Sequence, residues 1–274
     1  MSGSAALDKP TPPDSARLTD ADIGKVLKLL KGATTLELKL MVDDAPGATL
    51  RRLGFDPVEA QPRQVYFYDT RDLALSKAGL IVRARRSPGG RGDTVIKLRP
   101  VDPQSIVADL RHDEALKIEL DAMPGGYVCS ASFKGRCTGE EVLQASDGGL
   151  PLKSIFSKTQ RAAYKAHAPD GIAMESLVPL GPTFLLRIKR RPSNFDRDVV
   201  VELWLYPDGS TVLEISTKGM PEEAFQLTAL FRNFLAECGI PIEAAAGSKT
   251  ASALRYFSKQ LQSRRRTPHP ASRT

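Results

Sequence analysis

The hexapeptide "TLELKL", Thr35 to Leu40, puts Leu36, Leu38 and Leu40 on one parity and Thr35, Glu37 and Lys39 on the other. Successive side chains of a β-strand point to opposite faces, so one face here is aliphatic and the other carries an opposite-charge pair. Two architectures fit such a strand. In one, the charged face is the wet outside of an ordinary sheet. In the other, the charged face looks into an enclosed space and the aliphatic face is covered from outside.

The same alternation recurs along the chain. "LIVRARR" sets Arg83 and Arg85 against Val82 and Ala84, and "VIKLR" sets Lys97 and Arg99 against Ile96 and Leu98. "LKIELD" groups Lys117, Glu119 and Asp121, and "LLRIKRR" groups Arg187, Lys189 and Arg191. In "VVELWLY" Glu202 shares its face with Trp204 and Tyr206, and in "LEIST" Glu214 and Ser216 oppose Leu213 and Ile215. Lys218 continues that charged parity. Surface strands mix Thr, Ser, Gln and Lys freely, whereas these faces run in R-x-R and K-x-R doublets. Like charges two apart on neighbouring strands repel unless an anion sits among them, and guanidinium forks suit phosphate oxygens. A barrel would concentrate that charge in its lumen. Pattern alone leaves the wet sheet and the charged lumen both open.

Around these segments the reading is mainly β. Strands are expected at 35–42, 64–69, 80–86, 94–99, 115–121, 156–166, 183–190, 198–206 and 211–217, many close enough for antiparallel hairpins. Helices are expected at 19–31, behind a Thr19 or Asp20 cap, at 221–238, opened by Pro221 and ended by Gly239, and at 248–262. The small-residue stretch 122–150 reads as loop or elaboration. Residues 1–18, rich in Ser, Pro and Ala, read as a disordered leader, 19–262 as one domain, and 263–274 as a disordered basic tail.

Composition narrows the function classes. The formal charge of +7 is placed unevenly: residues 264–274 hold four arginines and no acid, leaving +3 on the body between leader and tail. That is no nucleic-acid footprint, and the tail lacks interleaved aromatics, so nucleic acid is not an expected partner. No apolar run is long enough to span a bilayer. No secretory h-region is visible either, so a cytoplasmic protein is expected. Three cysteines without C-x-x-C spacing and three scattered histidines supply no zinc site.

In order and spacing these segments resemble the CYTH superfamily, the triphosphate tunnel metalloenzymes. The resemblance runs from Thr35 to Phe257. "TLELKL" resembles the family's E-x-E-x-K strand, "VYFYDT" its Y-x-D-T strand, and "LIVRARR" and "VIKLR" its basic strands. "FSKTQRAAY" resembles the K-T-x-x-R segment, taken as a strand, "VVELWLYPDG" and "VLEISTKG" the late acidic strands, and "GSKTASALRYF" the C-terminal S-K helix.

The resemblance implies an α+β, mainly β fold: an eight-stranded antiparallel closed tunnel with a charged lumen and helices packed outside. It implies an anionic triphosphate ligand and Mg²⁺ or Mn²⁺. Carried over by position, Lys39, Arg83, Arg85, Lys97, Arg99 and Arg161 would hold phosphates. Arg187 and Lys189 join them by parity, and Lys249 from the C-terminal helix. Glu37, Glu202 and Glu214 would be the metal ligands. Glu37, Lys39 and Glu119 form the catalytic set, with Glu119 orienting a water.

Two departures stand out. Thr35 and Ser216 occupy positions where the family has glutamates. Three functions compete: hydrolysis of tripolyphosphate or of a nucleoside or thiamine triphosphate, adenylate cyclase-like conversion of ATP, and binding of polyphosphate or a nucleotide without turnover. Hydrolysis is the leading expectation, and the missing carboxylates are the feature that most favours the third. The oligomeric state is not indicated.

Overall fold

β1 (Thr35–Val42) is buried at every second residue. Leu36, Leu38, Leu40 and Val42 are buried in an apolar layer, whereas Glu37, Lys39 and Met41 line an interior cavity. The opening segment therefore belongs to a barrel with a charged inside. The computed structural model describes residues 20–42, 45–242, 250, 253–254 and 256–257. The expected leader lies outside the described residues, and so do the tail and much of the 248–262 helix.

Eight further strands follow: β2 (Gln61–Asp69), β3 (Leu80–Ser87), β4 (Arg91–Leu98), β5 (Leu116–Met123), β6 (Gly126–Thr138), β7 (Val178–Arg190), β8 (Val199–Leu205) and β9 (Thr211–Gly219). They close in the order β1-β5-β6-β4-β3-β2-β7-β8-β9. The expected eight-stranded antiparallel tunnel is thus corrected to a nine-stranded mixed barrel. β1 and β5 run parallel, with Thr35 opposite Glu119 and Glu37 opposite Asp121. An odd number of strands cannot alternate direction around a closed ring, so one pair has to run parallel. The long excursion through β2, β3 and β4 supplies the crossover that a parallel pair requires.

Helices α1 (Asp20–Gly32), α2 (Pro46–Arg52), α3 (Ala74–Lys77), α4 (Ala108–Arg111), α5 (Gly139–Asp147), α6 (Lys158–His167) and α7 (Ala224–Glu237) surround the barrel. One apolar layer joins Val82, Ile96 and Phe133 of the wall to Val142 of α5 and Ala163 and Tyr164 of α6. A second joins the leucines of β1, with Leu213 and Ile215 of β9, to Leu30 of α1 and Phe231, Phe234 and Leu235 of α7. A third lies inside. Val65, Phe67, Leu185 and Trp204 cluster with the helical residues Leu254 and Phe257 and fill one end of the lumen. Phe67 and Trp204 stack there with centroids 6.5 Å apart.

Two segments differ from the expectation. The stretch read as a loop, 122–150, holds all of β6 and α5. Its Ser, Ala, Cys and Gly residues have weak β-propensity, yet Cys129, Ala131 and Phe133 are buried while Lys134 and Arg136 share the opposite parity. Gly135 is small because α6 lies close: a Cβ there would sit 2.4 Å from Gln160 Oε1. The stretch read as a strand, 156–166, is α6. Ser157 and Gln160 form a capping box that starts the helix. The buried Gln160 side chain then accepts from Thr94 Oγ1 and donates to the Thr94 and Phe133 carbonyls, tying α6 to β4 and β6.

Candidate functional site

The lumen-facing parity of each strand delivers its charges to one cavity of about 180 Å³. β1 contributes Glu37 and Lys39, β3 Arg83 and Arg85, β4 Lys97, with Arg99 just after it. β5 contributes Glu119, β6 Lys134, β8 Glu202, and β9 Glu214 and Lys218. Seven cations and four carboxylates line it, so the cavity carries net positive charge and suits an anion.

The charges sort into two regions. Around β1 and β5, acids and ammonium groups pair closely. Lys39 Nζ lies 2.8 Å from Asp121 Oδ1 and 3.1 Å from Glu37 Oε2. Burial disfavours the Lys39 ammonium, but Glu37, Glu214 and Asp121 outweigh that and raise its pKa above the ordinary lysine value. Asp121 has a fully buried side chain and also faces Lys97 at 3.7 Å and Arg99 at 3.5 Å. Burial would raise its pKa; Lys39 and Lys97 instead hold the carboxyl low. Lys218 Nζ lies 2.5 Å from Glu119 Oε1 and 3.4 Å from Glu37 Oε2, and Lys134 lies 3.8 Å from the same Glu119 oxygen. Against the opposing effect of burial, these two lysines lower the Glu119 pKa.

Around β2, β3 and β7 the balance is cationic. Arg85 pairs with Asp93 at 2.8 Å, and Arg187 approaches Glu202 at 3.8 Å. Arg83 is partly buried, and among the described residues its buried Nε has no hydrogen-bond partner. Burial and the neighbouring Arg85 together lower its pKa. Arg63, from β2, is pushed down to about 10 by burial and by Arg85 and Arg187. Lys97 is pushed down to about 8 by burial, with Lys39 and Arg99 adding to it and Asp121 opposing. Crowded cations with weakened basicity mark a place that a bound anion would relieve.

Most residues expected from the sequence meet here: Glu37, Lys39, Arg83, Arg85, Lys97, Arg99, Glu119, Glu202 and Glu214 all line the cavity. Arg187 faces it through Glu202. Arg161 is corrected: it is exposed on α6, outside the barrel, bonded to the Phe156 carbonyl. Its segment is a helix, so the strand parity that would have aimed it inward does not apply. Lys189 is half-exposed and pairs with Asp198 at 2.6 Å instead of lining the cavity. Lys249 lies outside the described residues.

The expected metal trio does not assemble: among the described residues no three acids, histidines or cysteines group as a metal site. Glu202 and Glu214 do face each other in register across β8 and β9. That pair fits a hard cation completing its shell with phosphate and water oxygens. Glu37 does not fit, because Lys39 and Lys218 hold it.

Sequence reasoning missed Arg63, Asp121, Lys134 and Lys218 as site residues. Asp121 and Lys218 stand on charged parities in plain view, but lie outside the family motifs. Lys134 is hidden by the loop reading of 122–150. Trp204 serves as packing: it is 1% exposed, with Nε1 3.3 Å from Glu202 Oε2.

No family model matches the chain, and no curated protein matches it. Solved structures do. One is HpAC1 from Hippeastrum, described as a candidate adenylyl cyclase with a dominant triphosphatase activity. It is 18% identical, with a TM-score of 0.59 over 87% of this chain and 99% of its own. Another is a candidate adenylate cyclase from Bacillus halodurans, 13% identical, with a TM-score of 0.54 over 80% of this chain and 98% of its own. The chain therefore shares the barrel fold of these two structures.

Proposed function

We propose that the protein is a divalent-metal-dependent triphosphatase acting on tripolyphosphate or on a nucleoside or thiamine triphosphate. One observation carries the reading: Arg83, its Nε buried without a hydrogen-bond partner among the described residues, stands beside Arg85 in a cavity lined by more cations than acids. A densely anionic ligand supplies what that arrangement lacks. Arg63, Arg83, Arg85 and Lys97 would bind its oxygens, with Arg187 at the edge. Glu202 and Glu214 would hold Mg²⁺ or Mn²⁺, which would neutralise charge developing on the phosphate oxygens. Glu119, kept ionised by Lys218 and Lys134, is a weak base but a good hydrogen-bond acceptor for a water. Phosphoryl transfer asks chiefly for positioning and electrostatics, so the absence of a nucleophile–base pair from this set is no obstacle. The activity described for HpAC1 agrees with this reading.

Capture without turnover is the second reading. It is favoured by the ion pairs that hold Glu37 and by the lack of a three-acid group among the described residues. The cyclase reading gains less from the site, since Trp204 is stacked inside the wall and offers no face to a base.

The test is phosphate release from tripolyphosphate, ATP and thiamine triphosphate with Mg²⁺, Mn²⁺ or EDTA, with cyclic AMP followed in the ATP arm. Release should need the metal and fall by about a hundredfold or more in Arg83→Leu and in Glu202→Gln. Triphosphate-dependent thermal stabilisation without release in any arm would overturn hydrolysis in favour of capture.

A further inference from the structure

We infer that Lys218 serves as a built-in cation between Glu37 and Glu119, closing the β1–β5 side of the lumen to a metal ion and leaving Glu202 and Glu214 as the divalent site among the described residues. This deepens the triphosphatase reading and rests on it for the cation at that pair. The register places the three residues together: Lys218 of β9 is opposite Glu37 of β1, and Thr35, two residues before Glu37, is opposite Glu119 of β5. The Lys218 ammonium then bridges two carboxylates, Glu119 Oε1 at 2.5 Å and Glu37 Oε2 at 3.4 Å. Two carboxylates sharing one cation is the arrangement a hard divalent ion would impose. Here a lysine supplies the charge.

The neighbours reinforce it. Lys39 lies 3.1 Å from the same Glu37 oxygen, and Lys134 lies 3.8 Å from the same Glu119 oxygen. An incoming metal would have to displace one ammonium while facing two others. The side chains of Glu37 and Glu119 are 13% and 8% exposed, so water could not easily take over from Lys218. Thr35 fits the same account. A carboxylate at that position, beside Glu119 and two residues from Glu37, would exceed what Lys218 and its neighbours balance. A hydroxyl there adds no charge.

The experiment counts metal rather than turnover. Mn²⁺ is titrated into the full chain and followed by its electron paramagnetic resonance signal, for wild type, Glu37→Gln, Lys218→Met and Lys218→Gln, with folding checked by circular dichroism. Glu37→Gln should leave Mn²⁺ affinity within about twofold of wild type, and a folded Lys218 variant should bind one further equivalent. A fall of about tenfold or more in Glu37→Gln, or folded Lys218 variants that gain no Mn²⁺, would overturn the inference. Wild type binding no Mn²⁺ while a Lys218 variant gains one equivalent would instead refute the Glu202–Glu214 site and leave the lysine bridge standing.

Discussion

Replacing Lys97 with methionine should make the empty protein more stable and the anion complex weaker. Lys97 sits beside Lys39 and Arg99, and its charge is favoured chiefly by Asp121, at 3.7 Å. Its pKa is lowered from 10.5 to about 8. A drop of that size corresponds to about 3 kcal/mol by which the fold disfavours the ammonium. The sign follows from proton counts. Below pH 8 both folded and unfolded chains carry the charge, and the full cost is present. Between pH 8 and 10.5 the folded chain sheds the proton first, so stability rises with pH. Above 10.5 neither form is charged and the cost is gone. Methionine has a similar stem and no charge. Lys97→Met should therefore gain about 1–3 kcal/mol at pH 7, the lower end allowing for the partner taken from Asp121, and the gain should fade above pH 10. Urea unfolding between pH 6 and 10.5, with and without tripolyphosphate, measures it. In saturating tripolyphosphate the order should reverse, because only wild type gains the ligand contact. A variant less stable than wild type at pH 7 without ligand would refute the claim that this lysine is held against the preference of the fold.

Asp121→Asn should act in the opposite direction, costing about 3–5 kcal/mol by leaving Lys39, Lys97 and Arg99 without their shared buried carboxylate. Because the folded Asp121 pKa is depressed, that cost is present at neutral pH and shrinks as acid protonates wild type; urea unfolding at pH 3 and pH 7 compares the two. Gln160→Leu should cost about 3 kcal/mol by stranding the Thr94 and Phe133 carbonyls, seen as a fall in Tm of several degrees; an unchanged Tm would mean α6 is held by apolar packing alone. Trp204→Ala should cost about 3–5 kcal/mol and remove the near-ultraviolet circular dichroism of the single tryptophan; a loss under about 1 kcal/mol would show that the apolar end of the lumen contributes little to the fold.

Legibility in the sequence follows side-chain contrast. β1, β3, β8 and β9 alternate between aliphatic and charged residues, and their inward faces are readable from the residues alone. β6 is not, because its serines and alanines look alike to a hydropathy pattern and both faces are buried, Ser132 at the cavity and Ala131 and Phe133 in the layer with α5 and α6. α6 carries a readable signal, the Ser157–Gln160 capping box, but the resemblance to a K-T-x-x-R strand outweighs it and misplaces Arg161. The parallel β1–β5 seam cannot be read from any single segment, because it follows from closing nine strands into one ring. In the site, parity finds the cations of β3 and β4. What parity cannot rank is which charges serve each other. Asp121 and Lys218 matter through their partners on other strands, which only the register reveals.

The stack of Phe67 and Trp204, packed with Leu254 and Phe257, puts an apolar block inside the barrel that charged groups would avoid. Phosphate groups are then expected to enter on the side where Lys134 and Lys218 are half-exposed. A linear polyphosphate entering there would be engaged by its terminus instead of being threaded through and cut in the middle. Length analysis of a long-chain polyphosphate would record stepwise shortening from the ends, and mid-length fragments would show a way past the block.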